Sequence, residues 1–331
     1  MTPTTPTREQ LLDMAAQFRV SCVLGAAAEL ELFSAIAVDS LRAEELAQKI
    51  HGDLRATRIL ADALAALGLL EKDAHDAYSV PAGLRPLLGA SPASVAPMVL
   101  HNMNLVRSWS RLAEVVRSGR PPERQASIRG ADADRAAFIA AMHSISMAVA
   151  DGLVARLGPP RFTHLLDVGG ASGTWTLAFL RVVPDATATL FDLPDAIHHA
   201  AHRLAGTEFT SRVTLHTGDF YSEPLPGGAD YAWVSAIIHQ HSREESRRLF
   251  AKIHAALVPG GRIAIRDVVM QPDRTRPVFG ALFAINMLVN TEAGGTFTFD
   301  EIAEDLHAAG FHNPRLAVAA DDMTAVVEGT K

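Results

Sequence analysis

Apolar residues along the first part of the chain recur at helical spacings: Leu12, Phe18, Val20, Val23, Leu24, Ala27, Leu30, Phe33 and Ile36 fall between Leu11 and Ala37 with few charges among them. Such a stretch needs burial on more than one side. Ser40 then precedes a run from Leu41 to Ala47 with Glu44 and Glu45 near its start, which predicts a helix capped by Ser40 with its acids at the positive end. Gly52 breaks the pattern. A second helix is predicted over 54–67, closed by Gly68, and residues 69–80 carry a turn at Asp73 to Asp76 fit for a two-stranded wing. Helical patterns resume over 95–118 and 134–157, with a loop at 119–124 between them. Gly158, Pro159 and Pro160 stop helical structure and divide the chain into expected domains of 1–158 and 159–331.

After Pro160 short apolar runs alternate with helical patterns. Strands are predicted over 163–168, 187–191, 213–216, 231–235, 262–266, 315–319 and 324–328, and helices over 174–183, 196–204 and 244–257. That alternation implies an α/β fold with a mostly parallel, doubly wound sheet and a site at the carboxyl ends of its strands. The first domain reads instead as helix, turn, helix, wing. Its would-be recognition helix offers only Arg55 and Arg58 among Leu54, Ile59, Leu60, Leu64 and Leu67, the texture of a helix that packs or dimerises rather than one that reads DNA.

Composition narrows the classes. With 331 residues, 48% apolar and 20% charged, the chain can bury a core in each of two domains. A formal charge of −7 opposes a phosphate backbone, so no nucleic-acid partner is expected. One cysteine, Cys22, leaves no intrachain disulfide and no cysteine metal cluster. Residues 1–10 lack the apolar core of a signal peptide, and no uninterrupted apolar run approaches a bilayer's thickness, which predicts a cytoplasmic protein without a membrane partner.

The strongest chemical signal is Leu165-Leu166-Asp167-Val168-Gly169-Gly170-Ala171-Ser172-Gly173, a buried strand entering a glycine-rich turn and then a helix. Asp192 follows nineteen residues after Gly173 at the end of the second strand, where a carboxylate can accept both hydroxyls of a ribose. The dinucleotide fingerprint fails: counted from Gly169 its third glycine falls on Thr174, and counted from Gly170 its second falls on Ser172. His239 and His241 alternate as a metal pair would, but no third ligand has a clear spacing, and no metal is expected.

Taken in order, Asp167 to Gly173, Phe191-Asp192-Leu193-Pro194, Gly218-Asp219-Phe220, Ile237-Ile238-His239 and Leu257 to Gly261 with Pro259-Gly260-Gly261 resemble the motifs of class I S-adenosylmethionine-dependent small-molecule O-methyltransferases with an N-terminal dimerisation domain, the caffeic-acid and bacterial polyketide type. The resemblance spans nearly the whole chain. It implies a Rossmann-like seven-stranded domain behind a winged-helix-like dimerisation domain, a homodimer, S-adenosyl-L-methionine as cofactor with S-adenosyl-L-homocysteine as product, and a hydroxyl on a small aromatic or polyketide-like acceptor. Carried over by position, Asp167, Gly169, Gly173, Asp192, Asp219, Phe220 and Ser235 would bind cofactor. His239 would be the general base and Asp267 its orienting acid. Met142, Phe283, Asn286, Met287 and Asn290 would line the acceptor pocket, with Trp109 and Met103 closing it.

The chain departs from the family in places. Its second acid falls on Thr296, its lysine before the base is Ser235 and its aspartate after the base is Gln240; Glu292 is a candidate stand-in for the missing acid. Those departures keep open a same-fold C- or N-methyltransferase or hydroxylase-like relative. A ligand-sensing regulator built on the N-terminal module is the reading from another class.

Overall fold

The computed structural model describes residues 5–91, 93–158 and 161–331. They form two compact units: the chain up to Ser110 with Arg124–Met142, and Arg111–Glu123 with His143–Lys331. Pro159 and Pro160, where the sequence places the boundary, lie outside the described residues. The division instead falls inside the helix Ala131–Arg156. Ala137 of that helix packs with Ala28 and Leu100, whereas Ala150, Leu153 and Val154 pack into the core of the second unit.

In the first unit the apolar stretch is three helices, Arg8–Ala16, Phe18–Glu29 and Leu32–Ile36, the last break marked by Glu31 at a φ of 54°. Ser40 caps nothing. Leu41–Arg42 is a strand, and the helix Ala43–Lys49 starts on Arg42, whose backbone N–H donates to Glu45 Oε2 at 2.8 Å. Asp53 caps Leu54–Ala66 by accepting from the Ala56 N–H at 2.8 Å. The wing forms as Glu71–Lys72 and Ala77–Ser79, its turn held by Asp73 Oδ1, and Leu41–Arg42 adds a third strand. Arg58, one of two cations on the helix in the recognition position, is paired with Glu44 at 2.6 Å. The predicted helix over 95–118 is two, Ala96–Trp109 and Leu112–Ser118.

By length and composition alone, the helical run Arg8–Glu29 and the helix Ala131–Arg156 are each long and apolar enough to cross a bilayer, a test that the core helix of a soluble protein also passes. Charges such as Asp13 and Arg19 interrupt the apolar run without making the helix polar on average.

The second unit holds a seven-stranded sheet: β1 (His164–Val168), β2 (Thr187–Asp192), β3 (Val213–Thr217), β4 (Ala229–Ser235), β5 (Leu257–Arg266), β6 (His312–Val318) and β7 (Val326–Thr330). The strand order is β6-β7-β5-β4-β1-β2-β3, with β7 antiparallel to both neighbours and the other pairings parallel. Helices α1 (Thr174–Val182), α2 (Pro194–Leu204), α3 (Arg243–Ala256), α4 (Val278–Asn290) and α5 (Phe299–Ala308) complete it. Alternation along β4 sorts the two cores. Tyr231 and Trp233 pack with Trp175 and Phe179 of α1, while Ala232 and Val234 pack with Phe250 and Ile253 of α3 and Leu306 of α5.

Three local features differ from the sequence reading. Gly260 and Gly261 lie within β5, Gly260 at a φ of 76°, in the part where pairing to β4 shifts register. The helix α5, unread in the sequence, is announced by a capping box of Thr298 and Glu301. Val269–Met270 and Phe297–Thr298 also form a short parallel pair that orders the chain on either side of α4.

Candidate active site

Strand order reverses direction between β1 and β4, so the turn after β1 opens a crevice at the carboxyl edge of the sheet. Gly169, Ala171 and Gly173 of that turn have φ of 70°, 47° and 74°. A side chain at Gly169 would put its Cβ 2.7 Å from Ile237 Cδ1, which keeps the backbone bare for a ligand's close approach. Asp192, at the end of β2, accepts from the Ala171 N–H at 2.7 Å through Oδ2 and from the Leu193 N–H at 2.7 Å through Oδ1. Burial raises its pKa, opposed by those two donors. A half-buried carboxylate aligned on a bare glycine turn fits the ribose of a nucleoside cofactor.

Asp167 lies deeper. Its side chain is 1% exposed, Oδ2 accepts from Thr176 Oγ1 at 2.6 Å and Oδ1 has no partner among the described residues. Burial pushes its pKa up to about 7. A Cβ on Gly170 would meet its Cγ at 2.8 Å, so the acid underpins the turn. At the end of β3, Asp219 binds its own turn, Oδ1 taking the Tyr221 N–H at 2.8 Å and Oδ2 the Ser222 hydroxyl at 3.2 Å. Lys252 ties that turn to α3 through the carbonyls of Phe220, Tyr221 and Glu223 at 2.6, 2.9 and 2.9 Å. The Phe220 ring packs 4.8 Å from Tyr221 and 5.9 Å from His241.

His239 sits on a short 3-10 turn, Ile238–Gln240, rather than a strand end, and the turn carries it to Asp267. Nδ1 lies 3.0 and 2.9 Å from the two oxygens of Asp267, and both side chains are buried. Asp267 in turn accepts the Val268 N–H at 2.8 Å. An ionised carboxylate only accepts, so Nδ1 carries the proton of the neutral ring and Nε2 keeps a lone pair. The Phe283 ring meets His239 edge-on at 4.9 Å. His241 has its own partner, the Tyr221 hydroxyl 2.9 Å from Nδ1, so the two histidines do not form a pair. Thr296 is buried, and its carbonyl accepts from Arg274 at 3.0 Å. Glu292 is exposed, and Asp267 is the carboxylate bound to His239 among the described residues.

On α4, Asn290 Nδ2 donates to Asn286 Oδ1 at 3.0 Å and to its carbonyl at 2.9 Å, and Met287 is buried one turn beyond Phe283. Met142, Met103 and Trp109 belong to the first unit.

Three polar side chains at this edge escaped the sequence reading. Arg266, 3% exposed, lies with its guanidinium carbon 4.7 Å from the Trp175 ring centroid and donates to Ser235 Oγ at 3.0 Å; burial pulls its pKa down to about 10. An arginine closing the apolar strand Ile263-Ala264-Ile265 was the available signal. His143 and Arg203 both reach Ser172 and Thr174. Neither has a local signal, because each lies on an ordinary helix far away in sequence.

Comparison with known proteins follows the same geometry. A model of the O-methyltransferase domain matches residues 109–312, and a model of the O-methyltransferase dimerisation domain matches residues 12–82. The tetracenomycin polyketide synthesis 8-O-methyl transferase of Streptomyces glaucescens is 33% identical over 98% of this chain and 98% of its own. The 3-hydroxy-5-methyl-1-naphthoate 3-O-methyltransferase of Streptomyces sahachiroi is 31% identical over 97% and 94%. Human N-acetylserotonin methyltransferase, solved in complex with SAM, superposes with a TM-score of 0.80 at 25% identity, covering 100% of this chain and 99% of that one.

Proposed function

The chain belongs to the O-methyltransferase family, and from that premise we propose that it methylates a hydroxyl of a small aromatic or polyketide-like acceptor with S-adenosylmethionine, using His239 as general base. The cofactor supplies an electrophilic methyl on a sulfonium and leaves as S-adenosylhomocysteine. Asp192 holds the ribose, Gly169 and Gly173 leave room for the methionine part, and Asp219 and Phe220 border the adenine. His239 takes the acceptor's proton on Nε2, since a phenolate is a far better nucleophile than a phenol. Asp267 keeps the ring oriented and stabilises the imidazolium that forms. Phe283 excludes water beside the base, with Asn286, Met287 and Asn290 further along the same helix as acceptor contacts.

The observation that carries this reading is the two-oxygen grip of Asp267 on His239 Nδ1, which dedicates Nε2 to accepting a proton. Similarity to enzymes named for polyketide and naphthoate acceptors supports the acceptor class. Purified protein incubated with S-adenosylmethionine and a panel of phenols should give products heavier by one methyl. His239→Ala should lower turnover about 10²- to 10⁴-fold while leaving S-adenosylhomocysteine affinity nearly unchanged. Full turnover by that variant on a phenol of ordinary acidity, with chemistry rate-limiting, excludes His239 as base. The proposal includes a homodimer, resting on the dimerisation domain, in the cytoplasm, with which a chain of one cysteine and hence no intrachain disulfide is compatible.

A further inference from the structure

The glycine turn is gripped from outside as well as from the ribose side. Arg203, near the end of α2, donates from Nη1 to the Ser172 carbonyl at 3.0 Å and to Thr174 Oγ1 at 2.6 Å. His143, on the helix Ala131–Arg156, lies with Nδ1 3.0 Å from Ser172 Oγ and 3.1 Å from Thr174 Oγ1, and the two hydroxyls are 3.2 Å apart. Arg203 is half-buried and makes no ion pair with a carboxylate among the described residues. A guanidinium partly withdrawn from water and paired with a carbonyl and hydroxyls rather than a carboxylate gives up hydration to hold this turn.

This turn has unusual needs. Three of its five residues, Gly169 to Gly173, have left-handed backbone, and Ala171 among them carries a side chain. The glycines take that backbone freely, but Ala171 does so against the clash of its Cβ and has to be held by its neighbours. The consequence is local: the Ala171 N–H, one residue before the carbonyl that Arg203 holds, is the donor that aligns Asp192 Oδ2 at 2.7 Å.

We propose that Arg203, with His143 beside it, is a positioning residue of the cofactor site: it locks Ser172 and Thr174 so that the Ala171 N–H holds the Asp192 carboxylate in place for the ribose. The assignment rests on the cofactor reading above and adds a specific role for two side chains outside the family's motifs. The clamp acts on cofactor binding and leaves the proton transfer at His239 untouched. Loss of Arg203 therefore raises the KM for S-adenosylmethionine and spares kcat at saturation.

Titration calorimetry of S-adenosylhomocysteine into the full chain tests this. Arg203→Met should weaken binding about tenfold, the size of one charge-assisted hydrogen bond. Arg203→Lys should recover part of the loss, because an ammonium keeps the charge but not the planar fork. Thr174→Val removes the shared acceptor with little change of shape and should weaken binding in the same direction. In a double-mutant cycle, Arg203→Met should add less than about twofold once Asp192→Ala is present, because both act through one carboxylate. Unaltered affinity in both Arg203→Met and Thr174→Val overturns the proposal, as does full additivity with Asp192→Ala. If the unmodified protein itself binds no S-adenosylhomocysteine, the failure is that of the cofactor reading.

Discussion

Replacing Asp167 by asparagine should stabilise the ligand-free second unit at neutral and alkaline pH and change it little in acid. The carboxyl is 1% exposed, one oxygen accepts from Thr176 at 2.6 Å and the other is without a partner among the described residues. Burial raises its pKa from 3.8 to about 7, with the nearby Asp192 charge acting in the same direction. Between those limits the folded protein holds a proton that the unfolded chain has lost, so stability falls as pH rises through the window and levels off above about 7. At about 1.4 kcal/mol for each pH unit, the full difference is on the order of 4 to 5 kcal/mol. Asparagine keeps the shape and an acceptor for Thr176 but has no charge to desolvate. Trp175 and Trp233 are buried in the same unit, so urea unfolding followed by their fluorescence, in a Trp109→Phe background, reads that unit. Parent and Asp167→Asn should nearly coincide near pH 4 and diverge steadily up to about pH 7, with the variant more stable. A gap that does not change with pH, or one favouring aspartate at pH 8, refutes the argument that burial governs this carboxyl.

Asp192→Ala should weaken S-adenosylhomocysteine binding by about 1.5 to 3 kcal/mol, the range for hydrogen bonds to a charged acceptor, read by calorimetry. Gly169→Ala should lower stability by about 1 to 2 kcal/mol, since a left-handed residue gains a side chain, and should reduce cofactor affinity as Ile237 is displaced; chemical denaturation and calorimetry separate the two. On the helices of the first unit, Leu11, Leu12, Met14 and Phe18 are 55%, 54%, 57% and 59% exposed, an apolar face for a second copy to cover. Leu12→Asp with Phe18→Asp should yield monomers in sedimentation at micromolar concentration, and an unchanged dimer places the interface elsewhere.

Short apolar runs such as Tyr231 to Val234, alternating with helical patterns, were sufficient to read the strands of the sheet, most clearly the central ones, because a strand covered on both faces must be apolar at nearly every position. Asp167 through Gly173 announced the ligand turn for an equally local reason: left-handed backbone selects glycine. Local signals misled where tertiary contacts outbid them. Ser40 is a good cap, yet Leu41 and Arg42 pair with Tyr78 and Ala77 and move the helix start. The approach of His239 to Asp267 was inferable only from family resemblance, since 28 residues separate them and a 3-10 turn rather than strand periodicity joins them in space. Nothing in the composition of two ordinary helices marked His143 and Arg203. By itself the sequence determined most of the segments that become strands and helices and the glycine turn at which the chain must bend, because those depend on neighbours along the chain. The antiparallel insertion of β7 between β5 and β6, the burial that governs Asp167 and the clamp on Ser172 and Thr174 were decided by the tertiary structure alone, because each depends on groups far apart in sequence and on water excluded only once they have packed.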